Sequence, residues 1–312
     1  KLNRTVAAML GVAAVVLFGA IPYESAMEYV DLDVVFLLIG MMIIVDIFSR
    51  TGLFEWVAIF IAQRAKGNPV IILVGLLTAT ALFSAFLDNV TTVVLIAPVT
   101  ILIAQILELP VAPFLIFEAI FSNIGGTSTL VGDPPNILIG SKAQLTFNDF
   151  LANLGPVIVL SMLVIFAGIL FFQHSKFRTT KALRRRIMRA VPGKAILDPW
   201  RLKRSLVVFF LILCGFVSSH WLGLEPGIIA ITGSFIMVVV TRNDLRQSAE
   251  KVEWETILFL MGLFMLVGSL EYNGLFEVIA GVIFKFTQGH LFATAMIVLW
   301  TCAIVSAFVD NI

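Results

Sequence analysis

The sequence predicts an all-α polytopic membrane protein made of two inverted repeats, each with a re-entrant hairpin and a broken helix. Three observations carry this. Hydrophobic residues make up 60% of the 312 and charged residues 13%, against roughly 45–50% and about 25% in soluble domains. Several runs reach the ~20 apolar residues needed to cross a bilayer. Finally, S-A-F-L-D-N-V at 84–90 returns as S-A-F-V-D-N-I at 306–312, 222 positions later. The same offset carries G-L-F-E (52–55) onto 274–277, Gly40 onto Gly262 and Gly67 onto Gly289 without a gap. Such a constant register marks an internal duplication. Duplicated membrane halves with polar interruptions at matching positions are the pattern of secondary transporters.

The apolar runs place membrane helices at about 5–22, 33–50, 153–173, 205–221, 226–241 and 256–271. Residues 52–66 carry Gly52, Glu55, Gln63, Arg64 and Lys66 around an apolar stripe, which suits a helix lying in the interface. Residues 68–107 form two apolar runs parted by Asp88-Asn89 and Thr91-Thr92. Residues 110–140 form one run interrupted by S-N-I-G-G-T-S-T-L-V-G-D-P-P-N at 122–136. The organisation is thus a first repeat over 1–173, with hairpin 68–107 and broken helix 110–140, a basic connection over 174–204, and a second repeat over 205–312. The equivalent of 205–221 would precede Lys1 and that of 122–136 would fall at 344–358, so the sequence is expected to be part of a longer chain.

The connection 174–204 holds eleven of the 21 Lys and Arg residues, from Lys176 to Arg204. A basic run beside membrane helices is a topology determinant and places this one in the cytoplasm. With no soluble domain around it, nucleic-acid binding is not expected, and attraction to anionic lipid adds little. Fixing this connection inside sets the other directions. Helix 153–173 runs inward and the broken stretch 110–140 outward. Segment 68–107 then has both ends inside, a re-entrant hairpin with Asp88-Asn89 near its tip. Helix 33–50 runs inward, 5–22 outward, 205–221 outward and 226–241 inward. Only Lys142 and Lys285 of the 21 bases fall outside. Helix 5–22 and its equivalent 226–241 oppose each other, so the repeats are inverted, and the second hairpin, beginning near Gly289, opens outside.

Backbone that leaves helical geometry at membrane depth costs several kcal/mol per unsatisfied group unless it lines a polar cavity or is buried in protein. In D-N-V-T-T (88–92), oxygens of Asp88, Asn89, Thr91 and Thr92 gather where carbonyls are also freed. Hard cations such as Na⁺ take such ligands, and Asp88 could bind a proton instead. Asp88 and Asn89 are also favoured N-caps for the half-helix that follows. The motif recurs at Asp310-Asn311.

In the second interruption, Gly125, Gly126 and Gly132 permit close backbone approach and positive φ. Pro134-Pro135 removes two amide donors and disfavours helix just before it. Two half-helices should flank an unwound centre with Thr127, Ser128, Thr129, Asp133 and Asn136 facing a cavity, and Asn123 joins this set from the same run. The helix N-terminus after the break would present amides to an anion. Glu118, five residues before Asn123, is an intramembrane acid. Such groups are expensive and usually face the bundle interior, which points to a proton-relay or ion role. Asp46, one turn from Arg50, reads as a local ion pair. His174, His220 and His290 sit at segment ends without ligand spacing, and Cys214 and Cys302 form neither a disulfide framework nor a CxxC site.

These two interrupted elements resemble the ion-transporter superfamily of ArsB-type arsenite-pump membrane proteins, NhaD-type antiporters, the melanosomal P protein and the divalent anion/sodium symporters. The resemblance covers essentially the whole chain. S-N-I-G-G-T-S-T-L-V-G-D-P-P-N is nearest the P-protein and ArsB-like branch, and D-N-V-T-T stands where the dicarboxylate symporters carry a Ser-Asn-Thr motif. The resemblance implies a midplane cation site formed by the hairpin motif and unwound helix beside the substrate, with Asn89, Thr91, Gly126, Thr127 and Asn136 taking those roles and Na⁺ at Asn89, Gly126 and Thr127. The sequence departs from the symporters in placing Asp88 where they have Ser and Asp133 where they commonly have Thr. A carboxyl group can load and release a proton, as a hydroxyl or amide cannot. The departure therefore favours proton coupling or antiport over a purely Na⁺-coupled mechanism, and Asp88→Asn should uncouple transport from a pH gradient.

The expected activity is ion-coupled secondary transport of a small anion or neutral oxyacid, with Na⁺/H⁺ antiport as the alternative and a channel behind both. An intramembrane aspartyl protease would need two carboxylates sharing a proton in a Gly-x-Gly-Asp context. Leu130-Val131-Gly132 precedes Asp133, and there is no HExxH or GxSxG run, so no enzyme is expected. No cofactor beyond the coupling ion, Na⁺ or H⁺, is implied. The partners are the substrate and the lipid bilayer, with a homodimer left open.

Overall fold

The computed structural model describes residues 3–172, 177 and 179–308, and every regular element among them is helical. In order they are α1 (Arg4–Leu17), α2 (Tyr23–Glu28), α3 (Leu32–Ser49), α4 (Leu53–Arg64), α5 (Pro69–Ser84), α6 (Asn89–Ile106), α7 (Val111–Gly126) and α8 (Pro134–Ala143). They continue with α9 (Phe147–Phe172), α10 (Lys181–Ile187), α11 (Pro199–Leu222), α12 (Pro226–Thr241), α13 (Leu245–Ala249), α14 (Trp254–Tyr272), α15 (Leu275–Thr287) and α16 (Leu291–Phe308). Among the described residues α3, α6, α9, α11 and α14 are long and apolar enough to cross a membrane. The repeated Asp310-Asn311 lies outside the described residues, as does His174.

Helix boundaries follow the 222-residue offset closely. Shifted by 222, α1 to α5 begin at 226, 245, 254, 275 and 291, which are the first residues of α12 to α16. The turns match too: Gly52 and Gly274, both at the N-cap, have φ of 80° and 73°. Lys66-Gly67 and Gln288-Gly289 are left-handed pairs with φ of 50° and 67° against 51° and 77°. Helix 5–22 stops short of the expected end. Gly19 turns left-handed at φ 73°, Ala20 N–H closes back on Val15 O at 2.8 Å, and Pro22 caps the separate α2. This is the Schellman way of ending a helix.

The chain forms two compact units, one of residues 1–35 with 253–312 and one of residues 36–252. In the first, α1 and α14 run side by side in the same direction. Asn3 Nδ2 donates to Glu255 Oε1 (2.7 Å) at one end, and Asn273 Nδ2 donates to Ala20 O (3.0 Å) at the other. A Cβ on Gly262 would lie 3.2 Å from that of Ala8. In the second unit, a Cβ on Gly40 would stand 2.5 Å from the Ala230 carbonyl carbon. Helices in lipid gain little from the hydrophobic effect against each other, so small residues and close backbone packing hold them.

The core of the second unit surrounds α7. Ile72, Leu73, Leu76 and Leu77 of α5, Ile103 and Ala104 of α6, and Phe114 and Phe121 of α7 are all buried in one cluster. The basic connection is docked, antiparallel to α4. A Cβ on Gly67 would meet Arg184, Gln63 Nε2 donates to Ala190 O, Ala195 O lies against Gly52, and Leu197 N–H donates to Thr51 O at 3.0 Å. Thr179 Oγ1 donates to Leu107 O (3.0 Å), so Gly67, just before 68–107, and Leu107, at its end, both meet the connection.

Candidate functional site

Two interruptions of the helical backbone meet in the second unit. The first lies between α5 and α6, where Asp88 is the N-cap of α6. Its Oδ1 accepts from Val90 N–H (3.2 Å) and its Oδ2 from Thr91 N–H (2.8 Å) and the Thr91 hydroxyl. Both Asp88 oxygens therefore serve the helix terminus, the expected role of an N-cap carboxylate. The second interruption spans residues 127–133 between α7 and α8. Asp133 holds the N-cap position of α8 yet makes no capping bond with its side chain. Of the two carboxylates, only Asp133 is free of capping duty.

Glycine lets the two interruptions touch. A Cβ on Gly125 would stand 2.2 Å from Ala81 O, and one on Gly132 would stand 2.5 Å from Gly126 O and 2.7 Å from Ser84 O. Polar bonds cross the same seam. Ser84 Oγ donates to Ser122 O (2.7 Å), and Thr129 Oγ1 donates to Ala85 O. Asn89 Nδ2 donates to Asn123 Oδ1 at 2.8 Å, tying the start of α6 to the end of α7. Close approach was expected of the glycines of this run, Gly132 included, although none of Gly125, Gly126 and Gly132 adopts the positive φ also allowed for; Ser84 was not singled out. Ser84 had a signal, because it opens the heptapeptide that recurs at 306–312.

Asn136 is the hub of the unwound stretch. Its Nδ2 donates toward the carbonyls of Gly126 (3.4 Å), Thr127 (3.1 Å) and Thr129 (2.9 Å), its two N–H groups shared among the three. Thr127 Oγ1 and Ser128 Oγ donate to Asn123 O (2.8 Å) and Gly125 O (2.6 Å) within the last turn of α7. Asn136 thus satisfies the carbonyls of Gly126, Thr127 and Thr129 at the break, as burial demands. Thr129 and Asn136 are buried, whereas Asp88, Asn89, Thr91, Thr127, Ser128 and Asp133 are half-buried and Asn123 is exposed.

One expectation is corrected. The N-terminus of α8 does not present amides to an anion. Pro134 and Pro135 carry no N–H, and the Asn136 N–H donates to Asp133 O at 3.0 Å. The prolines that enforce the break also remove the donors an anion would use.

Two residues stand apart from this mouth. Thr92 is buried with a hydroxyl that has no partner among the described residues. Glu118 is 0% exposed on α7. Its Oε1 accepts from Thr100 Oγ1 (2.5 Å), while Oε2 has no partner among the described residues. Sequence reading missed Thr100, one hydroxyl in an apolar helix. Asp46 pairs with Arg50 at 3.0 Å and also accepts from Ser248 Oγ at 2.8 Å, a structural network. Among the described residues no cluster of metal-ligating side chains occurs.

Long apolar helices together with two interruptions packed into one polar seam define a polytopic membrane transporter. Comparison with known proteins gives the family. The citrate transporter family CitMHS matches residues 1–312, and the chain belongs to that family. It is 40% identical over 322 residues to an uncharacterized transporter of Mycobacterium tuberculosis, covering 100% of this chain and 73% of the relative. It is 39% identical over 316 residues to the 46 kDa membrane protein of Mycobacterium leprae, covering 100% and 74%. The P protein of Homo sapiens is 30% identical over 392 residues, covering 99% of this chain and 47% of the relative, in accord with the branch of the superfamily that the second interruption resembled.

Proposed function

We propose that the chain is an ion-coupled secondary transporter of a small anion or neutral oxyacid, working by alternating access around the seam where the two interruptions meet. The observation that carries this is the contact of Gly125 with Ala81 and of Gly132 with Gly126 and Ser84, which brings Asp88, Asn89, Asn123, Thr127 and Asp133 to one place. Asn89, Gly126 and Thr127 supply oxygens suited to Na⁺, with Asp88, Asp133 and Glu118 as the proton-coupling candidates. Neither break segment, 85–88 or 127–133, contains a base, and α8 offers no amides. An anion such as the citrate of the family's description therefore binds only with its charge offset by protonation or a co-bound cation. Asp88 and Asp133 also favour a second reading, Na⁺/H⁺ exchange, in which cations alone are carried.

The seam works in an inverted-repeat frame with re-entrant hairpins, the basic connection inside. Two sets of contacts support this frame. Gly40 meets Ala230 in one unit and Gly262 meets Ala8 in the other. Adding 222 to Gly40 and subtracting it from Ala230 converts the first pair into the second, so each repeat offers the other the equivalent contact. The docking of Gly67 and Leu107 on the basic connection supports re-entrance.

Uptake by reconstituted vesicles is the test, with carboxylates, arsenite, silicate and chloride offered under a pH gradient alone and then a Na⁺ gradient alone. Saturable, gradient-driven flux is expected, lost in Asn89→Ala and Thr127→Ala while expression and folding persist. Flux of every substrate that neither saturates nor follows a gradient would make the protein a channel.

A further inference from the structure

Glu118 has no ion-pair partner among the described residues, and its one hydrogen-bond partner there is the Thr100 hydroxyl. The helices packed most extensively on α7 are α5, α6 and α9; the basic connection also reaches it, where Phe177 meets Phe114 at 5.4 Å and Leu183 and Ile187 of α10 join the same cluster, α10 carrying Lys181, Arg184, Arg185 and Arg186. Helix α5 contains no charged or titratable residue, α6 has none beyond its N-cap Asp88, and α9 has only Asp149 near its start. No base occurs on α5, α6, α7 or α9. The side chain is fully buried, one turn from Phe114 and Phe121 of the apolar cluster. An isolated carboxylate in such surroundings is far too costly to persist. It must be neutralised by a proton or by a bound metal ion.

The surroundings decide between these. A metal ion of the alkali or alkaline-earth type needs several oxygens around it, as the six to eight of Ca²⁺ illustrate. The oxygen shown beside the Glu118 carboxyl is the Thr100 hydroxyl, and the neighbours one turn away on α7 include two phenyl rings. A proton needs only one oxygen, and Glu118 Oε2 has no partner among the described residues.

We propose that Glu118 is a proton-binding site of the transport cycle, separate from the seam of the two breaks. The proton comes from water, forms the O–H of the neutral acid, and returns to water when the carboxylate re-forms in another state of the cycle. Thr100 is the positioning residue, holding the second oxygen. Helix α6 carries Pro98 two residues before Thr100, so its ladder lacks a bond there and can flex. The buried Thr92 hydroxyl, without a partner among the described residues, lies on α6 about one turn after Asp88 and about two turns before Thr100. This assignment rests on the transporter reading but names a different residue for the proton than the mouth carboxylates.

The test uses the full chain in lipid nanodiscs and in vesicles. In infrared difference spectra across a pH titration, wild type should show the carbonyl stretch of a protonated carboxylic acid that Glu118→Gln lacks. That substitution keeps the shape and the bond to Thr100, so folding is preserved, and Thr100→Val should shift the midpoint of the same band. In vesicles, E118Q should lose flux driven by a pH gradient at least tenfold while retaining substrate counterflow. An unchanged band in E118Q, or pH-driven flux equal to wild type, overturns the assignment and leaves the transporter reading standing. A Glu118 band with no gradient-driven flux of any substrate in wild type overturns the transport role and leaves only a buried acid.

Discussion

Substituting Gly125 by Ala tests the seam directly. The added Cβ would lie 2.2 Å from Ala81 O and 2.5 Å from Ala81 Cα. Ordinary contact begins at 3.4 Å, so the oxygen contact is short by 3.4 − 2.2 = 1.2 Å. Both obstacles are backbone, and no side-chain rotation relieves them. The helices α5 and α7 must part by about that distance, enough to break the 2.7 Å bond from Ser84 Oγ to Ser122 O. Overpacking of this kind costs about 1–3 kcal/mol, and the lost bond adds about 1 kcal/mol. If about 2 kcal/mol of this falls on the geometry of the site, flux drops roughly 30-fold. Thermal unfolding in detergent should fall by several degrees, since about 1 kcal/mol shifts the midpoint of a large domain by roughly 2–4 °C. Gly168→Ala is the control. It lies within α9 with nothing within 4 Å of the new Cβ, and alanine is favoured over glycine inside a helix by about 0.5–1 kcal/mol. G168A should match or slightly exceed wild-type stability. A G125A protein with the wild-type midpoint and flux within twofold of wild type would refute the close approach.

Asp88→Asn retains a good N-cap for α6 and Asp133→Asn removes no cap, so both proteins should fold. Each should weaken the apparent affinity for the coupling cation at least about tenfold, read from the cation dependence of uptake. Asn136→Ala strips the donor from three carbonyls and should cost about 2–3 kcal/mol. N136D should fare no better, because an ionised carboxylate cannot donate, and unfolding midpoints decide it. With Cys214 and Cys302 replaced by Ser, Lys194→Cys should react with an impermeant maleimide only from inside and Lys142→Cys only from outside. Labelling of both from one face would discard the orientation.

The helices were legible because twenty-residue apolar runs have few other uses, and because two copies of one pattern check each other. Boundaries at the offset of 222 agree where glycine or an αL pair dictates the turn, as at Gly52 and Gly274. The first helix was read too long, since Gly19 reverses the chain inside a run that hydropathy alone counts as one. The break at 127–133 was marked by Gly-Gly and Pro-Pro, but its internal bonding was not. Capping by Asp88 was legible from its place before the second half-helix, but nothing in composition says that Asn136 Nδ2 donates toward three carbonyls or that Asp133 makes no capping bond. The α8 amides were misjudged by applying the helix-dipole rule without subtracting the two prolines from the donor count. Thr100 was invisible for a related reason: a hydroxyl in a span has local carbonyls to bond, and only the fold turns this one onto Glu118.

The docked connection has a consequence in the order of synthesis. Gln63 meets Ala190 across 127 residues, and Leu107 meets Thr179 across 72. At about 5–20 residues per second, Gln63 leaves the ribosome roughly 6–25 s before its partner. Until then the turns at 51–52 and 63–67 stand uncovered, and α4 has one flank open to lipid headgroups or chaperones. The connection is thus a late clasp, closed from Thr179 toward Leu197. Substitutions in it should lower yield by lengthening that exposed interval, even where they leave the finished carrier unaltered.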